Sequence, residues 1–139
     1  MPSDKLQRHV LIRKTVYNRP HPVAQSSVQL WESLAEELVS IIGEGGFQSL
    51  YIRSIHLNSK AFPWMAIEHS SLQMASRFAN LKKCFEGQPE KNICDANCAL
   101  LITFIDILAL LIGELLTARI LHSAWGDDAS TSSIQESQL

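Results

Sequence analysis

Asp106 is the residue whose setting most invites chemistry. It interrupts an apolar run, Ala99 to Ile112 (ALLITFIDILALLI), whose only other polar member is Thr103. A carboxylate in such a helix either meets a cation or is driven toward its neutral form. Arg53 and Arg77, on neighbouring helices, are the candidate cations, and an Asp106–Arg53 pair would fix the register between those helices. Glu114 follows eight residues on, along the same stripe. On a straight helix the two carboxylates stand about 12 Å apart. That is too far to share a proton and beyond the carboxylate separations of glycosidases. With His56 beside Arg53, the set Asp106, Arg53, His56 and Glu114 defines the one polar site a bundle core could build, provided all four converge on a cavity of at least ~300 Å³.

Other constellations are weaker. Cys94 and Cys98, at i and i+4, share a helix face, and Cys84 is a third thiol. A structural zinc site usually presents two short paired spacings, whereas this chain has one C-x-x-x-C and a stray cysteine. No metal and no cofactor is expected. Small four-helix phosphotransfer domains place a lysine and a glycine shortly after an exposed histidine. His56 is followed by Leu57-Asn58-Ser59-Lys60-Ala61, with the lysine one position late and no glycine, and His69 by Ser70-Ser71-Leu72-Gln73. Gly43-Glu44-Gly45-Gly46 has no strand before it and no lysine after it, so it reads as helix punctuation and not as a phosphate loop. Nothing places a Ser, His and Asp together.

The elements that would position these residues follow from periodicity. Residues 1–27 read as a basic arm, partly disordered, with HVLIRKTVY able to form a short strand or a helical turn and Arg19-Pro20-His21-Pro22 forcing an extended linker. A first helix starts at Ser26 or Ser27, with Ser26 and Gln29 at capping-box spacing. It repeats Leu30, Leu34, Leu38 and Ile41, and ends at Gly43. A second helix spans 47–59, with Phe47, Leu50, Tyr51 and Ile55 inward and Arg53, His56 and Lys60 along one edge. A third runs 63–85 from Pro63, and a fourth from Asn92 or Asp95 to Trp125, where Gly126 stops it. The bundle domain is thus 28–126, and 127–139 is a disordered, Ser-rich acidic tail. No internal repeat at a fixed period stands out.

On the fourth helix Ala99, Thr103, Leu110, Gly113 and Thr117 line a small, polar stripe opposite Leu101, Ile105, Leu108, Ile112 and Leu115. So much apolar helix surface favours a homo-oligomer with that stripe as its isologous contact, the alternative being that the N-terminal arm and the first helix cover it within the monomer. The stretch from Cys98 to Leu121 is long enough to span a bilayer. It carries Asp106, Glu114 and Arg119, however, and a charge at the bilayer centre costs roughly 2.5–3.5 kcal/mol, so a buried core helix is the better reading. Net charge is −2, which offers no global field for nucleic acid or membrane. The distribution is uneven. Residues 1–19 carry Lys5, Arg8, Arg13, Lys14 and Arg19 against Asp4, and the remaining 7 basic and 13 acidic residues sum to −6. The arm could therefore dock a protein partner. Three cysteines and no apolar leader in the first twenty residues point to a reducing cytoplasm.

WESLAEELVSIIGEGGFQSLYIRS, FPW and GELLTARILHSAWGDDA resemble segments of a group of small bacterial all-helical proteins to which no activity is attached. The resemblance covers about residues 30–129 and implies a bacterial cytoplasmic setting, without transferring any site residue. The expectation is an all-α, four-helix-type bundle around a nearly all-apolar C-terminal helix. Its expected role is a non-catalytic, homo-oligomeric interaction or regulatory module. The alternatives are a ligand-binding or enzymatic bundle using Asp106, Arg53 and His56, and a signalling module of the sensory or phosphorelay type.

Overall fold

The computed structural model describes residues 4–65 and 78–129, with side chains to 126. Among these the protein is all α-helical: α1 (Asp4–Val16), α2 (Val23–Leu57), a 3-10 turn (Pro63–Met65), α3 (Ala79–Glu86), α4 (Glu90–Ile112) and α5 (Glu114–Ala129). Most of the third helix expected from the sequence, including His69 and Arg77, lies outside the described residues, as does the tail after Ala129.

The basic arm is not loose. Arg8, Ile12, Thr15 and Val16 recur at helical spacing and are buried, so α1 lays one face on the bundle. Asp4 in its first turn and Arg13 and Lys14 in its last complement the helix dipole. The next helix begins at Val23, capped by the extended Pro22, one turn earlier than the Ser26 box implies. Ser26 is buried instead, its hydroxyl donating to the carbonyl of Pro20 at 2.6 Å.

Two glycines shape the rest. Gly43 has φ +82° and ψ 164°, a conformation essentially closed to residues with a Cβ. Residues 31 and 51 of a straight helix would lie about 30 Å apart, yet the rings of Trp31 and Tyr51 are 5.3 Å apart. α2 is therefore a hairpin of two arms, 23–42 and 44–57, turned at one residue. Gly113, with φ +93° and ψ 161°, does the same. The single C-terminal rod expected from the sequence is instead a second hairpin, α4 and α5, and Gly126 does not end it. α4 retains its expected central place, packing on α1, α2 and α5. It is long and apolar enough to cross a membrane by composition, but half of its most apolar window is buried in the fold.

The hairpins are counterparts, which corrects the absence of a repeat noted above. The glycines are seventy residues apart, and that offset sets Ile42-Gly43-Glu44 on Ile112-Gly113-Glu114, Leu38 on Leu108 and Glu36 on Asp106. Of the fifteen buried residues from Val23 to Ile55, thirteen have a buried partner seventy positions on. The exceptions, Ala24 and Ser54, face the half-buried Cys94 and Ala124. The glycines alone fix this offset, so a match along both arms is not a fitted one. An offset of sixty-nine sets Ile12 and Val16 of α1 on Leu81 and Phe85 of α3, all buried, and Pro20 on Pro89. The leading helices are exchanged: α1 packs on α4 and α5, and α3 on α2. Phe47, just past the first corner, meets Phe104, before the second, at 5.3 Å, so both corners lie toward the same end of the bundle.

At the centre, Trp31 packs edge-on against Phe104 and Tyr51 and donates from Nε1 to Asn97 Oδ1 at 2.7 Å. Trp125 of α5 donates to the carbonyl of Leu30 at 2.9 Å. Both indoles are wholly buried and need these acceptors.

Candidate functional site

Asp106 does meet cations, but from α1. Arg8 Nη2 donates to Asp106 Oδ1 at 2.8 Å, and Arg8 Nη1 donates to Glu114 Oε1. His9 Nε2 donates to both oxygens of Asp106, at 2.9 and 3.0 Å. The Asp106–Arg53 pair expected from the sequence is replaced by Asp106–Arg8. Arg53 and His56 lie on the exposed side of the second arm of α2, outside this cluster. The corner at Gly113 explains why Glu114 joins in. A straight helix would hold it a dozen ångströms from Asp106, whereas the reversal brings both carboxylates to one guanidinium.

The electrostatics are those of a lock. Arg8 is only 7% exposed. Burial works to lower its pKa, but hydrogen bonds and charge from Glu114 and Asp106 outweigh that and raise it further. Its Nη1 and Nη2 are engaged by carboxylates, and its Nε is buried without a partner. The guanidinium is thus committed internally and not presented to an incoming anion. With His9 protonated the four groups sum to zero; with His9 neutral they carry one negative charge.

The remaining residues singled out from the sequence fall in different places. Thr117 is fully buried and donates to the carbonyl of Gly113 at 2.7 Å, closing the first turn of α5. Thr103 donates to the carbonyl of Ala99 at 2.9 Å and accepts from Asn58 Nδ2 at 3.1 Å. Ala99 is half-buried, while Leu110 and Gly113 are exposed. The residues missed are Arg8 and His9. Arg8 sits one turn before Ile12 and two before Val16, so a basic residue inside the apolar stripe of the arm was the available signal.

A second polar cluster pins the other end of α1. Tyr17 OH donates to Asp95 Oδ1 at 2.5 Å, and Lys91 Nζ lies 3.1 Å from Asp95 Oδ2. Burial, then this hydrogen bond, pushes the Tyr17 phenol well above its usual range, while Tyr17 and Lys91 hold Asp95 below the usual carboxylate range. Burial also pushes the Cys94 and Cys98 thiols up, away from the reactive thiolate form. Among the described residues no cluster has the makeup of a metal site. An open groove of about 570 Å³ lies elsewhere, between the start of α2 and the α3–α4 junction. It is lined by His21, Pro22, Phe85, Glu86, Glu90 and Ile93, and His21 Nδ1 pairs with Glu90 Oε2 at 2.8 Å. None of Asp106, Arg53, His56 or Glu114 lines it.

Compared with protein-family models, curated proteins and solved structures, the chain matches none.

Proposed function

We propose that this is a non-catalytic interaction or regulatory module of a bacterial cytoplasm, acting through helix surfaces and by self-association. One observation carries the reading. Leucines stand exposed around the second corner, Leu110 at 87%, Leu111 at 68%, Leu115 at 69% and Leu116 at 38%, while the charged cluster beside them is spent on holding α1. Large apolar side chains exposed this close together in the chain read as a contact surface. Cys84, Cys94 and Cys98 form no disulfide, which suits a reducing compartment. Sedimentation or light scattering across a thousand-fold dilution tests the reading. A mass that rises with concentration is expected, and a strictly monomeric protein at millimolar concentration would remove its support.

A further inference from the structure

We infer that the groove between the start of α2 and the α3–α4 junction binds a small organic cation, a primary amine or guanidine carrying an apolar body. The site does not depend on self-association, since one copy carries the whole groove. Its place in the repeat is particular. Val23 and Ile93 both line it and are counterparts seventy positions apart. His21 and Glu90 also line it, are counterparts at the offset of sixty-nine, and meet, with Nδ1 2.8 Å from Oε2. The groove therefore lies at the seam where the two halves of the repeat join. Its volume of about 570 Å³ falls within the range of small-molecule sites. Phe85, Val23 and Ile93, none more than 6% exposed, give it an apolar wall. One turn further along α2 and α4 stand Ser27 and Asn97, again counterparts and fully buried, and Ser27 Oγ and Asn97 Nδ2 have no hydrogen-bond partner. Buried polar atoms are nearly always paired, so the seam is the part of the core that packing within the chain leaves least satisfied.

Charge decides the class of ligand. Glu86 and Glu90 line the groove, and no Lys or Arg does. Glu86 is the last residue of α3, where the negative end of the helix dipole disfavours a carboxylate. Among the described residues it makes no ion pair. At the matching places of the α1–α2 junction stand Tyr17 and His21, so the junction itself does not require two acids. The partner of Glu90 is His21, and that pair is 60% and 73% exposed. An ion pair so open to water contributes little, and an incoming cation displaces the imidazole at small cost. An ammonium drawn to the two carboxylates, with its apolar body on Phe85, Val23 and Ile93, satisfies both the charge and the wall. An anion of the same shape meets like charge.

Tryptamine is the probe, and the amide resonances of the isotope-labelled full chain are the readout. Saturable shifts centred on residues 21–24 and 85–93, with a dissociation constant of about 1 mM or below, are the expected result. Indole-3-propionate keeps the ring and reverses the charge, and ethylamine keeps the charge and loses the ring; each should bind at least about ten-fold more weakly. Glu86→Gln combined with Glu90→Gln, both at exposed positions, should weaken tryptamine about five-fold or more with the helical circular dichroism retained. Should that variant fail to fold, the three probes compared on the parent decide the matter. No saturable shift with tryptamine up to about 10 mM would overturn the site. Indole-3-propionate binding as tightly as tryptamine, or a folded variant binding as tightly as the parent, would overturn the assignment to a cation. Zinc chloride moving the same amides where tryptamine does not would reject the organic ligand in favour of a metal.

Discussion

Gly43 and Gly113 turn the chain through nearly the same dihedral angles, φ +82° and ψ 164° at one and φ +93° and ψ 161° at the other, while the residues facing solvent around them differ sharply. What the two corners share is a glycine, the buried positions of both arms, and carboxylates at matching places, Glu36 with Glu44, both exposed, and Asp106 with Glu114, both half-buried. What differs is the tip, where Ser40, Ile41, Gly45 and Gly46 stand at one corner and four leucines at the other. Backbone geometry and burial are thus set by the demands of the hairpin, and the tip is left to vary. The second corner also receives a guanidinium from α1, which makes it the place where α1 is joined to α4 and α5.

That junction offers the largest effect. Arg8→Met leaves Asp106 with His9 alone and Glu114 without its guanidinium. We expect a loss of about 3 kcal/mol, read from urea unfolding. Glu114→Gln is expected to cost only about 0.5–1 kcal/mol, because Glu114 is 42% exposed and water screens it. Equal losses in the two variants would show that the cluster does not hold the corner. Next come the glycines themselves. Gly43→Ala and Gly113→Ala each force a Cβ into a conformation that costs about 2 kcal/mol. No neighbouring atom lies within 4 Å of either Cβ, so the strain is the whole effect and the two losses should agree. A neutral result at one position alone would break the equivalence of the corners.

Alkali gives a smaller effect and separates the two halves. Burial raises the phenol of Tyr51 in the first hairpin, and burial with Asp95 raises that of Tyr17, just after α1. Both groups keep their proton in the folded state after the unfolded chain has lost it. Their contribution is therefore fully present below about pH 10, the ordinary phenol value, and is lost as pH rises toward the folded-state values. Melting temperatures should fall above that pH, with a shallower decline in Tyr17→Phe. An unchanged slope in that variant would sever Tyr17 from the stability of the fold. Smallest are Arg53→Ala and His56→Ala, expected within about 0.5 kcal/mol of the parent; a larger loss would place them in contacts that their exposure does not suggest.

Fold class was readable because the apolar residues keep helical spacing almost throughout, and the role of Gly43 was readable because glycine clusters there. Gly113 was not, for it stands alone between the apolar run ending at Ile112 and Glu114-Leu115-Leu116, and only its dihedral angle distinguishes a corner from a tolerated helix glycine. Missing that corner hid the meeting of Asp106 and Glu114. The arm misled for a related reason: its basic residues read as a solvated end, while Ile12 and Val16 were too few to announce a buried face without the groove that receives them. The repeat escaped because between residues 23 and 55 only Leu30, Leu38 and the Ile42-Gly43-Glu44 triplet are identical to their counterparts; burial persists where letters have changed.

The contacts of Arg8 reach across 98 and 106 residues of a 139-residue chain. During synthesis, then, α1 leaves the ribosome before α4 and α5, the helices it packs on, and its complete seat exists only once both have followed.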